Sequence, residues 1–397
     1  MKKINFAVIG LGARGSQLMN DIFTKNKRAD VVALCDKYED RVDKANKLVE
    51  EELGHSAFCT QNYKDIFERD DVDAVVISCD WELHVPIAID VMEHNIPAIM
   101  EVSGAYSVEQ CWDLVRCWER TKTPFWFTEN CCYGRRELMA LNMVEKGVFG
   151  EIVHCSGGYH HDLRYEVAYG KENRHYRLKN YINRNCENYP THEIGPIAKV
   201  LNINHGNRMV SLTSTASKAA GMHEYILAKK PEDTNLVNTQ FSQGDIITTV
   251  IKCAGGQTIT LTLDTTLPHY YSRGFTVRGT KGLYEEFTDS VFIDGKDDKF
   301  ESEWNQKWGN AKEYEEEYDH PIWKKFIEDG VQGGHGGMDW LQYEAIIDFL
   351  NNGTEAWIDV YDAAAWMCIS ALSEKSIAMG SIPVEIPDFT NGMWQHR

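Results

Sequence analysis

Short uninterrupted apolar runs dominate the first third of the chain, and a stretch with helical periodicity follows each of them. Phe6–Ile9, Val31–Cys35 and Ala74–Ile77 are runs of this kind. Continuous apolar runs are typical of strands buried on both faces, whereas Glu39–Leu53 has the spacing of an amphipathic helix. The repeated strand–helix alternation predicts a doubly wound parallel sheet covered by helices on both faces.

The pattern changes after Gly150, where strand-like stretches alternate apolar and polar residues or are rich in β-branched ones. This predicts an open, mainly antiparallel sheet that is exposed on one face. The strands are expected at Met209–Ser217, Asp245–Cys253, Thr258–Thr265 and Gly274–Val277. Helices are expected again at Pro321–Glu328, Met338–Asn351 and Val360–Ala378, and a charged surface loop at Asp294–Glu317.

The length of 397 residues is more than one ordinary domain needs. We therefore predict an α/β protein with two domains. An N-terminal Rossmann domain covers residues 1–133. A C-terminal α+β domain covers residues 134–397, and its last helices can pack back on the first domain.

A glycine motif joins the first predicted strand to the first helix. Gly10, Gly12 and Gly15 form G-x-G-x-x-G around Ala13 and Arg14. In this motif the first glycine permits a tight turn, the second lets a pyrophosphate approach the backbone, and the third lets helix and strand pack closely.

Asp36 ends the second predicted strand, where an acidic side chain binds the ribose hydroxyls and repels a 2′-phosphate. We therefore predict bound NAD rather than NADP. The alternative is a purely structural glycine turn with a solvated Asp36. Ligands of such sheets bind beyond the carboxyl ends of the strands, and Asp80–His84, Glu101 and Asn130 share that location with Asp36.

Composition narrows the function further. The formal net charge of −19 argues against nucleic acid and against an anionic membrane surface as partners, because both favour basic patches. The N-terminus leads directly into a strand, so no signal peptide is expected. Eleven scattered cysteines, without a C-x-x-C pair, indicate reduced thiols and a cytoplasmic location.

Three clusters of tyrosine and histidine in the second domain are candidates for the chemistry. They are Gly157–Arg164, then Tyr176-Arg177 with Asn188–Glu193, and Pro268–Tyr271. Tyrosine and histidine can move protons on hydroxyl groups, and a neighbouring cation or bound NAD⁺ can lower the pKa of a tyrosine. A packing role for any single tyrosine remains the alternative.

A zinc site is the other alternative for the histidines, but none is predicted. His160 and His161 are adjacent on a strand and point to opposite faces, and no third ligand lies at a known spacing. His335 lies in a glycine loop before a helix that Asp339 could cap, and this loop is either structural or part of the substrate site.

With these residues in view, the chain resembles the Gfo/Idh/MocA oxidoreductase superfamily, although Glu101-Val102-Ser103 stands where those enzymes usually have Glu-Lys-Pro. The closer resemblance is to glycoside hydrolase family 109, the NAD-dependent α-N-acetylgalactosaminidases, and it covers nearly the whole chain. The segments that carry it include Met100–Ala105, Glu129–Tyr133, Gly158–Arg164, Tyr189–His192, His320–Lys324, Gly334–Asp339, Leu372–Ala378 and Ile386–Gly392.

The resemblance implies an unusual hydrolysis of a small-molecule glycoside, in which NAD is recycled. The sugar is oxidised at C3, deprotonated at C2 and loses its aglycone by elimination, after which water adds and the ketone is reduced. It implies Tyr159 as the C2 base, and His192 with Tyr189 at the C3 hydroxyl or the leaving group. It also implies a homodimer formed through the exposed face of the open sheet.

The same resemblance implies the binding residues. On the sugar side they are Arg177, Pro190, Thr191 and Tyr271. On the cofactor side they are Gly10, Gly12, Ala13, Arg14, Gly15, Asp36, Trp81, Glu82, Leu83, His84, Glu101, Val102 and Asn130.

Departures from the family pattern concentrate on the sugar side. Glu193 replaces a common glycine, Tyr176 replaces tryptophan, and His269-Tyr270-Tyr271 replaces Arg-Pro-Tyr; Asp80 replaces proline on the cofactor side. We expect retained chemistry with a changed sugar, linkage or aglycone. The competing hypotheses are a dehydrogenase that makes a 3-keto sugar and releases NADH, and a non-catalytic sensor of NAD or sugar.

Overall fold

The computed structural model of the chain describes residues 2–297 and 306–397. The chain forms two compact units. The first contains the chain up to Ser103, together with Ser107–Tyr133 and Asp329–Ala364. The second contains Gly104–Tyr106, Gly134–Glu328 and Ala365–Arg397.

The strands, numbered in chain order, are β1 Ile4–Ile9, β2 Ala29–Cys35, β3 Phe58–Thr60, β4 Ala74–Ile77, β5 Ala98–Glu101, β6 Phe125–Thr128, β7 Ile152–His160, β8 Met209–Ala216, β9 Ile246–Cys253, β10 Thr258–Asp264, β11 Thr276–Gly279, β12 Gly282–Glu285, β13 Ser290–Ile293 and β14 Val384–Glu385. The α-helices are α1 Ala13–Leu18, α2 Glu39–Leu53, α3 Trp81–Glu93, α4 Val108–Thr121, α5 Arg135–Glu145, α6 Arg164–Ala168, α7 Arg177–Asn183, α8 Thr191–Val200, α9 Gly221–Lys229, α10 Thr234–Val237, α11 Glu315–Tyr318, α12 Pro321–Asp329, α13 Met338–Asn352 and α14 Val360–Ala378.

The first unit contains a six-stranded parallel sheet in the order β3-β2-β1-β4-β5-β6. This is the strand order of a Rossmann fold, and it confirms the predicted doubly wound sheet. Strands β4, β5 and β6 are buried along their whole length, as their continuous apolar runs predict. Helix α13 packs on this sheet, where the ring of Tyr343 meets Phe23 and Phe6 at centroid distances of 5.2 and 6.5 Å.

The second unit contains an eight-stranded sheet in the order β13-β12-β11-β7-β10-β9-β8-β14. Only β7 and β10 pair in parallel; the other neighbours are antiparallel. In β9 the residues alternate, with Ile247, Thr249 and Ile251 buried, and Val250 exposed between them. The predicted open, mainly antiparallel sheet is therefore confirmed.

Two segments differ from what their local sequence suggests. Trp81–His84, expected beyond the carboxyl end of a strand, is the first turn of α3, because Asp80 takes the N-cap position in an extended conformation. The segment Asp294–Glu317 is not simply surface loop. Residues 298–305 lie outside the described residues, but Asn310–Tyr314 forms a buried 3₁₀ turn, and the hydroxyl of Tyr314 donates to Asp297 at 2.6 Å.

None of the helices in the described ranges combines the length and the apolar character that crossing a bilayer requires.

Candidate active site

The glycine motif forms the tight turn that its spacing predicts. Gly10 has a φ of +94°, and a side chain on it would lie 2.6 Å from the backbone of Ser78 and Cys79. A Cβ on Gly15 would lie 2.0 Å from the carbonyl oxygen of Gly10. Both positions therefore require glycine for the close packing of β1, β4 and α1.

Gly12 differs from its two neighbours in the motif. It caps α1 in an extended conformation, and a Cβ on it would meet only the Arg41 side chain, at 3.4 Å. The protein itself thus does not require glycine here, whereas a pyrophosphate approaching the backbone would. This cradle fits NAD, and Ala13 and Arg14 begin the helix beside it.

Asp36 is buried at the end of β2 rather than solvated. Its carboxylate accepts hydrogen bonds from the backbone N–H groups of Leu11, at 2.8 Å, and Tyr38, at 2.9 Å. The guanidinium of Arg41 lies 3.7 Å away. The side chain therefore also fixes the loop of the glycine motif, a role that the sequence pattern does not reveal.

Arg14 is the centre of a buried ion network. Its two terminal nitrogens donate to the two oxygens of Asp339, at 2.8 and 2.9 Å, and it lies 3.1 Å from Glu101. Asn130 donates to the same Asp339 carboxylate at 2.8 Å. The structure thus brings three predicted cofactor residues together around Asp339, which the sequence offered as a possible helix cap. Gly337 takes the N-cap position of α13 instead.

Replacing Asp339 with asparagine should destabilise the protein by about 2 kcal/mol, because it removes one half of a largely buried bidentate pair. Burial opposes ionisation of Asp339, but Arg14 and His335 outweigh it and hold the pKa of this carboxyl well below its ordinary value of 3.8. The stabilisation is therefore complete above that value and is lost as the pH falls below it. Urea unfolding at several pH values should show a gap between Asp339→Asn and wild type that is constant near neutrality and narrows only below about pH 4.

The remaining predicted cofactor residues lie around the ends of β4 and β5. Trp81 is buried, Glu82 is partly buried and Leu83 is 45% exposed in the first turn of α3. His84 is buried with its Nε2 3.0 Å from the carbonyl oxygen of Cys79, and burial lowers its pKa to about 4. Val102 is buried directly after β5.

In the second unit, the three tyrosine and histidine clusters supply one group of rings. Tyr159 near the end of β7 lies 4.6 Å from Tyr189, 5.6 Å from His192 and 6.4 Å from Tyr271, measured between ring centroids. His161 lies 5.2 Å from Tyr271. The first two clusters each supply two of these rings and the third supplies one, and we call the five rings the aromatic cluster.

Within the aromatic cluster, the hydroxyl of Tyr159 lies 3.0 Å from Nδ1 of His161. Burial raises the pKa of Tyr159, and the positive charge of Arg177 only partly opposes the rise. A neighbouring cation thus acts in the expected direction, but burial of the Tyr159 hydroxyl outweighs it. Burial and Arg177 also lower the pKa of His161, so its imidazole is neutral and can accept the phenolic proton.

Arg177 and the start of α8 complete this region. Arg177 is buried, with its Nε 2.5 Å from Glu166 and its guanidinium 5.0 Å from the centre of the Tyr189 ring. The hydroxyl of Tyr189 lies 3.4 Å from Nε2 of His192. Pro190 and Thr191, which were expected at the sugar, are both buried.

Glu193, the departure next to His192, is buried together with Glu187. Burial raises the pKa of Glu187, and a hydrogen bond with Glu193 opposes the rise. The two carboxyl groups therefore hold a proton near neutral pH. Gly157 makes room for this pair, since a Cβ there would lie 2.7 Å from the Cβ of Glu193.

The buried pair of Glu187 and Glu193 should make the free energy of unfolding depend on pH. The folded pKa of Glu187 is raised above its ordinary value of 4.5, so the folded protein binds more protons than the unfolded chain and loses stability as the pH rises above that value. Glu187→Gln/Glu193→Gln should flatten this loss, which one proton limits to about 1.4 kcal/mol per pH unit. Chemical unfolding between pH 5 and 8 measures it. Glu316→Gln/Glu317→Gln makes the same two substitutions at exposed positions and should leave the slope unchanged.

With this geometry described, comparison with known proteins identifies the family. Residues 4–128 match the model described as "Oxidoreductase family, NAD-binding Rossmann fold", and residues 133–396 match "Glycosyl hydrolase 109, C-terminal domain". The chain belongs to glycoside hydrolase family 109. It is an NAD-dependent glycoside hydrolase, as the two matched domains together indicate.

Relatives are similar over almost the whole chain. A glycosyl hydrolase family 109 protein of Stenotrophomonas maltophilia is 37% identical over 100% of this chain and 91% of its own. A protein of Tannerella forsythia named α-N-acetylgalactosaminidase is 37% identical over 99% of this chain and 88% of its own. A protein of Shewanella oneidensis with the same name is 36% identical over 100% of this chain and 87% of its own.

Solved structures share the fold at much lower identity. An oxidoreductase from Agrobacterium radiobacter in complex with NAD⁺, L-tartaric acid and magnesium matches with a TM-score of 0.67 and 17% identity, over 97% of this chain and 99% of that one. A scyllo-inositol dehydrogenase from Lactobacillus casei matches with a TM-score of 0.68 and 13% identity, over 97% and 98%. At these identities the likeness describes the fold alone.

Proposed function

We propose that this enzyme cleaves an α-N-acetylgalactosaminide, or a close variant of that glycoside, by oxidation, elimination, hydration and reduction. The names of relatives at 36–37% identity support the substrate class. The observation that carries the mechanism is the 3.0 Å contact between the Tyr159 hydroxyl and Nδ1 of His161 inside the aromatic cluster. Through this contact the imidazole can take the phenolic proton while Tyr159 removes a proton from carbon.

The backbone turn at Gly12 and the buried carboxylate of Asp36 support the proposed NAD site. We propose that the glycine motif from Gly10 to Gly15, Asp36, Trp81–His84, Glu101-Val102 and Asn130 hold NAD. The chemistry that bound NAD supplies is reversible hydride transfer at C3 of the sugar. Arg14 and Asp339 act here as positioning residues, since each is already held by the other.

Tyr159 and His161 act at C2. A ketone at C3 makes the C2 proton acidic, and Tyr159 removes it while passing its own proton to Nδ1 of His161. Arg177 lowers the energy of the phenolate through its positive charge. The aglycone then leaves from C1, water adds to the resulting double bond, and Tyr159 returns a proton to C2.

His192 and Tyr189 handle the oxygen-bound protons. Their 3.4 Å contact lets a proton move between them as the C3 hydroxyl is oxidised or as the leaving oxygen is protonated. Arg177, Pro190, Thr191 and Tyr271 shape the sugar subsite in this proposal. Glu193, the member of the buried carboxyl pair that departs from the family pattern beside His192, is in this proposal a determinant of the sugar preference.

Deoxy analogues of the substrate test this mechanism. The nitrophenyl α-N-acetylgalactosaminide should release nitrophenol, and its 4-deoxy analogue should still react, whereas the 3-deoxy analogue should not. Cleavage of the 3-deoxy analogue at a comparable rate would exclude oxidation at C3. Accumulation of NADH without nitrophenol would instead identify a dehydrogenase.

We also propose a cytoplasmic homodimer. All eleven cysteines are free thiols and nine of them are buried, which agrees with a reducing compartment. The outer face of β9 exposes Val250 and can serve as the subunit contact. Light scattering should give twice the chain mass for the wild type, and Val250→Lys should shift it toward the monomer. A wild-type monomer at micromolar concentration would contradict this.

A further inference from the structure

The face of the second sheet opposite the aromatic cluster carries a separate group of side chains. Side chains alternate along a strand, so His160 points away from Tyr159 and His161. The parallel register of β7 and β10 pairs His160 with Asp264, which places both side chains on the same face. The ring of His269, from the loop after β10, stacks on His160 at 4.8 Å with an interplanar angle of 23°.

These three residues offer ligand atoms that lie close together. One donor atom from each lies within 4.8 Å of the other two. Nδ1 of His160 and Oδ1 of Asp264 are buried and have no hydrogen-bond partner within the described ranges. The residues are only 9% and 8% exposed. A buried polar atom without a partner destabilises the folded protein, so two of them in one small group indicate a missing binding partner.

The surroundings hold both rings in ligating orientations. A Cβ on Gly158 would lie 2.3 Å from Nε2 of His160, so this edge of the ring is packed and Nδ1 faces the group. Nδ1 of His269 donates to the carbonyl oxygen of Tyr270 at 2.5 Å, which leaves Nε2 as the ligand atom. Metal-binding histidines usually have such a backbone contact on the other nitrogen.

We propose that His160, Asp264 and His269 bind a divalent transition-metal ion of the zinc class. Two imidazole nitrogens and one carboxylate oxygen suit Zn²⁺, Co²⁺ or Fe²⁺ and are a poor set for Ca²⁺ or Mg²⁺, which prefer oxygen ligands. The ion satisfies both buried donor atoms. The argument that His160 and His161 cannot share one metal still holds, because the other two ligands come from β10 and its following loop.

The ion fastens the loop that carries Tyr271. His269 lies two residues before Tyr271, whose ring faces Tyr159 and His161 in the aromatic cluster. Metal binding on one face of the sheet therefore orders a side chain on the other face. This consequence rests on the proposed function, whereas metal binding itself does not.

Cobalt and zinc binding to tag-free protein, stripped with a chelator and dialysed, tests the proposal. We expect one equivalent of Co²⁺ to give visible d–d absorption, and Zn²⁺ to displace it. Asp264→Asn and His269→Ala should each weaken Zn²⁺ binding by at least about tenfold. His223→Ala, an exposed histidine on α9, should leave it unchanged. Equal affinity in all four proteins, or no binding to the wild type, would overturn the proposal.

Steady-state kinetics separates the two proposals. If both hold, removing the metal should raise KM for the glycoside more than it lowers kcat, and zinc should restore wild type but not His269→Ala. Metal binding without any glycosidase activity would refute the proposed function and leave the metal site standing. Full activity in the metal-free protein would refute the coupling to Tyr271.

Discussion

Replacing Tyr159 with phenylalanine should reduce kcat for glycoside cleavage by about 10²–10⁴-fold, because it removes the proposed base and its contact with His161. The ring itself remains and keeps its packing against Tyr189 and His192. The melting temperature should therefore stay close to that of the wild type. Nitrophenol release at saturating substrate measures the loss.

The same variant should stop at a defined step. If His192 takes the proton of the C3 hydroxyl, oxidation at C3 does not need Tyr159, and a single turnover of Tyr159→Phe should still form NADH in an amount close to that of the enzyme. His192→Ala should form neither NADH nor nitrophenol. Tyr314→Phe serves as the control. It also removes a buried phenol, one that donates to Asp297 and belongs to none of the three tyrosine and histidine clusters. A rate for Tyr159→Phe within a few-fold of the wild type would refute its role.

Replacing Gly12 with alanine should weaken NAD binding by roughly 100-fold and abolish activity at ordinary NAD concentrations. A Cβ there meets only the end of the Arg41 side chain in the protein, at 3.4 Å, but it would occupy the space that this motif leaves for the pyrophosphate. Without NAD, the variant should have the same melting temperature as the wild type. Calorimetric titration of NAD⁺ into cofactor-free protein measures the affinity.

Gly15→Ala is the matched comparison. Its Cβ would lie 2.0 Å from the carbonyl oxygen of Gly10, so it should lower the melting temperature even without NAD. The two variants thus separate a glycine kept for the ligand from one kept for packing. Equal NAD affinity of Gly12→Ala and wild type would contradict the placement of the cofactor.

Local sequence patterns predict much of the secondary structure. The helices Glu39–Leu53 and Val360–Ala378 have the predicted bounds, and the glycine motif forms the predicted turn. The start of α3 was missed because Asp80 was interpreted as a strand-end ligand, although aspartate is also a preferred N-cap residue. The buried turn at Asn310 was missed because its flanking charges suggested a solvated loop.

Contacts between distant residues could not be predicted from local patterns. Asp339 pairs with Arg14 although 325 positions separate them in the sequence, so no spacing rule connects them. The shared proton of Glu187 and Glu193 depends on burial, which neither residue type implies. His160 meets Asp264 only because β7 and β10 pair in parallel. The sequence does not show this strand pairing, so it could not predict the candidate metal site. The roles of Tyr159, His192 and the cofactor residues stay predictions.

Solvent deuterium is the most direct test of the central claim, that the glycosidic bond breaks by elimination with NAD recycled. The enzyme should be incubated in deuterated water with nitrophenyl α-N-acetylgalactosaminide and a small amount of NAD⁺, and the freed sugar examined by NMR. We predict nitrophenol release far beyond the amount of NAD⁺, deuterium at C2 and no net NADH. Released sugar that keeps hydrogen at C2 would contradict the account.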